Sequence, residues 1–132
     1  MTIEEALYAH LVADSGVAAQ IGNRLYPLVI PQDAALPAAA YQRISGPRVL
    51  AHDGTLGLAD ARMQFTSHAE TYSDAKALAR AIRESVDGYR GVMGGAGGVM
   101  VQGCSVENET DSYGPAGEVR TVRLDVFVLY SE

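Results

Sequence analysis

The chain is poor in the residues that most site chemistry needs. It has one cysteine, Cys104. No internal disulfide can form, and no CxxC pair offers half of a zinc site. What is left for Cys104 is the role of a small buried thiol in a strand. The histidines number 3, at His10, His52 and His68. None stands at the i, i+4 spacing of a zinc helix, and none sits beside a carboxylate cluster. Basic residues are also scarce. Lys and Arg total 10 against 16 Asp and Glu, for a formal net charge of −6. That balance argues against a protein that grips nucleic acid, because such grip comes from neutralising phosphates. It suits a protein that nucleic acid must pass without sticking. Long apolar runs are missing as well, none approaching the roughly 18–20 residues that span a bilayer, so no membrane partner is expected. The acidic opening Met1-Thr2-Ile3-Glu4-Glu5 lacks the basic-then-apolar order of a signal peptide, and synthesis in the cytosol is expected.

Catalytic motifs are absent in the same way. Ser67, His68 and Asp53 could be written down as a triad, but no G-x-S-x-G elbow frames them. The glycine run at 91–98, GVMGGAGG, carries no Gly-Lys-Ser or Gly-Lys-Thr and leads into a strand, so it is not a phosphate loop. It reads as turn-like, used for a hinge or for tight packing. The acidic set Glu107, Glu109, Asp111 and Glu118 lacks the spacing and central glycine of an EF-hand. No catalytic, metal-binding or cofactor-binding residue is therefore assigned, no cofactor is expected, and the chain is not expected to be an enzyme.

Against these absences stands an ordinary globular pattern. The 132 residues are 48% hydrophobic, enough for one domain over 1–132 and too few for a second core. Thr2 and Glu5 form a capping box, and Ile3, Leu7 and Leu11 follow at i, i+4 and i+8. This predicts a first helix ending near residues 14–16. Ser15 is the expected cap of a further short turn, which Gly22 stops. Pro27 and Pro31 confine residues 24–30 to an edge or loop. Residues 38–45 read as a strand, broken by Gly46-Pro47. Residues 48–58, with Asp53-Gly54 and Gly57, read as a long connection.

Residues 59–70 alternate, with Ala61, Met63 and Phe65 on one face and Arg62, Gln64 and Thr66 on the other. Behind Ser73, the expected cap, Ala75, Leu78, Ala79, Ile82 and Val86 make one helical stripe that ends at Gly88. Residues 99–106 form a strand and 108–117 a polar loop. Residues 118–130 form the strongest strand, with Val122, Leu124, Val126, Val128 and Tyr130 in alternation.

The fold class expected is α+β. An antiparallel or mixed sheet of about four strands should carry two main helices on one face, in the order α-β-β-α-β-β, with a long C-terminal hairpin. The last strand, about 13 residues at about 3.3 Å each, would span about 43 Å. A compact domain of this length is only about 36 Å across. Either the hairpin projects across a subunit boundary, or the strand is bulged and stays on the domain.

In order and spacing the whole chain resembles a known family. The segments are EEALYAHLVADSGVAAQIGNRLYP, LPAAAYQRISGPR, ADARMQFTSHAETYSDAKALARAIRESVDGYRG and the terminal VRLDVFVLY. Together they resemble the tail completion proteins of tailed bacteriophages, also called tail terminators or head–tail joining proteins, with members in prophages and gene transfer agents. One departure is Ala38-Ala39-Ala40, where bulkier β-branched residues are expected. It implies closer packing against a neighbour or a weaker strand.

The resemblance implies a virion protein assembled in the bacterial host cytoplasm and placed at the head–tail junction. It implies a homo-oligomeric ring, usually of six, that caps the tail tube, stops its growth and joins it to the head connector or head completion protein. DNA would pass the lumen without specific binding. Candidate interface or lumen residues fall in the two long loops. They are Arg48, His52 and Asp53 in the first, and Glu107, Glu109, Asp111, Tyr113 and Glu118 around the second. The alternative is a small-ligand or regulatory binding module, with Tyr41, Tyr72 and Tyr89 lining an apolar pocket.

Overall fold

The computed structural model describes residues 1–46, 48–51, 54–113 and 119–131. The first helix, α1 (Ile3–Ala13), starts at the expected capping box: the Glu5 amide donates to Thr2 Oγ1 at 3.1 Å, and the Thr2 amide donates to the Glu5 carboxylate at 3.2 Å. Asp14 then serves two helices. It ends α1, and its Oδ1 accepts from the Gly16 and Val17 amides to start α2 (Ser15–Ile21). The cap is thus Asp14 and not Ser15, because Asp14 holds the extended backbone that lets its side chain reach forward. Gly22, at φ +58°, ends α2 as expected.

Helix α3 (Tyr72–Val86) buries Ala75, Leu78, Ala79, Ile82 and Val86, the stripe read from spacing. Its cap is Thr71, whose hydroxyl accepts from the Asp74 amide at 3.2 Å, and Ser73 lies inside the first turn. The helix stops at Val86, two residues before Gly88, which takes a left-handed φ of +79°.

Seven strands are present among the described residues: β1 (Leu25–Pro27), β2 (Ala38–Ser45), β3 (Arg48–Ala51), β4 (Gly54–Ala69), β5 (Gly91–Met93), β6 (Val99–Tyr113) and β7 (Arg120–Ser131). They form one mixed sheet in the order β1-β2-β4-β7-β6-β5, with β3 paired to β4, and only β1–β2 is parallel. The expected class, α+β with a mixed sheet, matches. The count of about four strands and the simple α-β-β-α-β-β order do not. The three extra strands run for three or four residues, too short for alternation to show.

Of residues 48–58, read as a connection, 48–51 and 54–58 are instead paired as β3 and the start of β4, with Arg48 opposite Ala59 and Ala51 opposite Gly54. Residues 108–113, read as the start of a loop, continue β6 in register with β7 as far as Tyr113 opposite Arg120. The glycine run 91–98 opens with β5.

One contiguous core lies between the helices and one face of the sheet. Ala59, Ala61, Met63, Phe65 and Ala69 of β4 and Val122, Leu124, Val126 and Val128 of β7 supply that face. The alternation expected for both strands is therefore present. Helix α1 bridges the far parts of the sheet. Tyr8 meets Tyr41 of β2 with ring centroids 6.3 Å apart, and Glu4 pairs with Arg43 at 2.9 Å. On its other flank α1 meets the turn after β5, where a Cβ on Gly94 (φ +92°) would stand 3.2 Å from the Ala6 Cα. Tight packing is thus what Gly94 provides, whereas Gly91, Gly95 and Gly97 have open space around them and supply positive φ.

Over the described residues the C-terminal hairpin β6–β7 is long but does not run past its neighbour. Arg120 pairs with Ala69, so β4 flanks β7 to its start. Register shifts at Val101/Gly103 and Val106/Asn108 bend β6. β7 itself pairs with β4 without a register shift, so the bulges lie in β6 and not in the last strand, where they were expected. At the opposite end, β7 stops beside Leu58, and β4 runs on to Gly54 paired only with β3. Ala38, Ala39 and Ala40 are buried inside the chain, with Ala40 between Tyr26 and Thr66 in register.

Candidate functional site

The catalytic candidates are kept apart by strand geometry. Ser67 and His68 are consecutive in β4, so their side chains point to opposite faces. Ser67 is fully buried on the core face. His68 lies on the other, where partial burial and the nearby Arg123 charge lower its pKa. His10, on α1, donates from Nε2 to the Ser85 carbonyl at 3.0 Å and meets Tyr89 edge-on at 4.7 Å. Cys104 is buried in β6, where desolvation pushes its thiol up to about 12. That is an inert, structural thiol. Among the described residues, no group of three or more His, Cys, Asp or Glu could hold a metal ion, and no helix is long and apolar enough to cross a membrane.

The tyrosines proposed for a ligand pocket do not converge. Tyr41 lines a groove with Met1, Glu5 and Tyr8. Tyr72 lines another, with Lys76, Arg80 and Glu84, and Tyr89 a third, with His10 and Val92.

The acidic residues of β6 have a definite setting. Its register places Glu109 opposite Leu124 and Asp111 opposite Val122, which turns both toward the helices. There α3 answers them. Lys76 Nζ bonds Glu109 and reaches Asp111 at 2.8 Å. Tyr72 donates its hydroxyl to Asp111 at 2.7 Å, and Arg83 lies 3.9 Å from Glu109. Hydrogen bonds from Lys76 and Tyr72 hold the Asp111 carboxyl below its ordinary pKa, and the same bonds raise Lys76 and Tyr72. Glu107 sits apart at the β6 bulge and accepts from Ser105 Oγ at 2.6 Å. Of the other predicted residues, Arg48 is in β3 and Tyr113 closes β6. His52, Asp53 and Glu118 lie outside the described residues.

The sheet face away from the helices carries polar side chains that brace one another. Asp125 accepts from Gln64 at 3.3 Å, and from Arg62 and Asn108 at 3.4 Å each. Arg62 also lies 5.6 Å from the Phe127 ring centroid, and Arg123 donates to Ser112 at 2.9 Å. Sequence reasoning missed this cluster, and it missed Tyr72, Lys76 and Arg83 as partners of β6. The available signal was the set of cations lying off the α3 stripe, together with acids alternating along 107–111.

Among the described residues, one large mixed sheet carries a single helical layer, and its polar surfaces are braced by side-chain bonds. Comparison gives the particular family. The sequence model described as tail completion protein gp17 matches residues 5–131, and the chain belongs to that family. It is a family of structural virion proteins and not an enzyme class. Among solved structures, a chain from "Virion of native gene transfer agent (GTA) particle" has the same fold, with a TM-score of 0.82, 18% identity, and coverage of 98% of this chain and 95% of that one. A comparison with curated proteins finds no match.

Proposed function

We propose that the chain is a one-domain ring subunit, six to a ring, that caps the tail tube and joins it to the head connector. The observation that carries this reading is the family match across residues 5–131. The fold of a chain in a gene transfer agent virion supports it. The mechanism is geometric: copies close a ring, one ring face matches the last ring of tube protein, and occupying that end stops further addition. Assembly would take place in the host cytoplasm, and the finished ring would sit at the head–tail junction.

The ring would let DNA pass without holding it, which a net charge of −6 per copy favours. Lumen repulsion would rest on Glu107 more than on Glu109 and Asp111, since Lys76 and Arg83 already answer the latter two. Deleting the gene and imaging the particles tests the proposal. Overlong or irregular tails that fail to join heads are the expected result. Uniform tails joined normally to heads would reject it.

A further inference from the structure

The exposed apolar side chains are unevenly placed. Leu28 and Val29 are 70% and 75% exposed in the turn that follows β1. Val92 and Met100 are 51% and 43% exposed, and they face each other across β5 and β6. β1 and β5 are the first and last strands of the sheet order. Each edge of the sheet thus carries one apolar pair that its own chain leaves in water.

The Leu28 turn is held out by force. Leu28 has φ +67°, a strained region that L side chains rarely adopt. Backbone bonds fix it there, from the Leu28 amide to the Tyr41 carbonyl and from the Val29 amide to the Pro27 carbonyl, both at 2.8 Å. Charge follows the same division. Asp33, in the connection after Val29, is exposed and has no partner among the described residues. Arg90, just before β5, is exposed, donates to the Gln102 carbonyl at 3.1 Å and has no carboxylate partner there.

Two different patches at two ends of one molecule are what a head-to-tail contact needs, whereas a two-fold dimer needs one patch that fits itself. We propose that the Leu28–Val29 turn of one copy seats against the Val92–Met100 pair of the next, with Asp33 meeting Arg90 at the rim. The occupant is a second copy of this chain, and the contact repeats around the ring. This deepens the ring reading above and rests on it.

Native mass spectrometry of the full chain, alone and with purified tail tubes, tests the contact. Leu28→Gly removes the apolar knob and relieves the strained φ, so the subunit should melt no lower than the parent while ring formation falls at least about tenfold. Val92→Asp should reduce rings as much. Val29→Asp and Val92→Asp copies mixed together each keep one sound patch, so they should form one-to-one pairs and stop. Asp33→Arg should weaken the ring, and adding Arg90→Asp in the same chain should restore it. Full-strength rings from Leu28→Gly and Val92→Asp, both still folded by circular dichroism, would overturn the edge contact while leaving the ring reading standing. A parent chain that stays monomeric both alone and on tubes would overturn the ring reading and this inference together.

Discussion

From Val99 to Val106, β6 places Val101 and Cys104 in the core opposite Tyr130 and Val128. From Asn108 to Ser112, the same strand places Glu109 and Asp111 against Lys76, Tyr72 and Arg83 of α3. Its first half is held by burying apolar surface and its second by charge and hydrogen bonds. Both halves pair with β7 in register, so backbone geometry does not separate them. They should differ in what breaks them. Burial of apolar surface carries no charge to be screened and does not titrate, whereas partly exposed ion pairs are screened by salt and titrate.

The largest effect should come from the apolar half. Met93 is fully buried and lies opposite Val99 in register. Met93→Ala should cost about 2–5 kcal/mol of global stability, from lost burial and the cavity left behind. Urea unfolding checks this, and a midpoint unchanged from the parent would show that β5 is dispensable to the core.

A smaller and local effect is expected from Lys76→Met. It leaves Glu109 and Asp111 without their shared cation while keeping the apolar stem. Hydrogen exchange should quicken across residues 108–112 and stay unchanged at 99–104. Equal quickening in both halves would mean that the strand opens as one unit.

Acid should act on the same half alone. The folded-state pKa of Asp111 lies below its ordinary 3.8, so its contribution is complete above that value and fades as pH falls below it toward the folded pKa. At the other extreme Lys76 is raised from its ordinary 10.5, so its contribution holds below that value and fades as pH rises beyond it. Residues 108–112 should therefore lose exchange protection first as pH drops below about 3.8. The smallest expected effect is none at all: the labelling rate of Cys104, whose thiol is pushed up to about 12, should be the same in the parent and in Lys76→Met. Faster labelling in the variant would show the two halves to be coupled.

The difference between the halves also explains what could be read from the chain. The capping box at Thr2 and Glu5, the α3 stripe and the β7 alternation were legible because each is a local pattern with its own period. The second half of β6 was not. Asn108, Glu109, Thr110, Asp111 and Ser112 bury no apolar side chain, and their strand is completed by cations about thirty residues earlier. The β3–β4 hairpin was hidden by Gly54 and Gly57, which read as breakers where pairing with β3 in fact holds the strand. Among the candidate site residues, Glu109 and Asp111 were found by composition, but their partners were not. The Leu28 turn gave no signal, since a positive φ at leucine belongs to no sequence pattern.

By itself the order of residues determined the two main helices and the two alternating central strands, because these depend on neighbours within a turn or two. Tertiary structure alone decided the short edge strands, the pairing of α3 cations with β6 acids, and the placing of apolar side chains at opposite sheet edges. Those depend on which distant segments meet, and only the closed core brings them together.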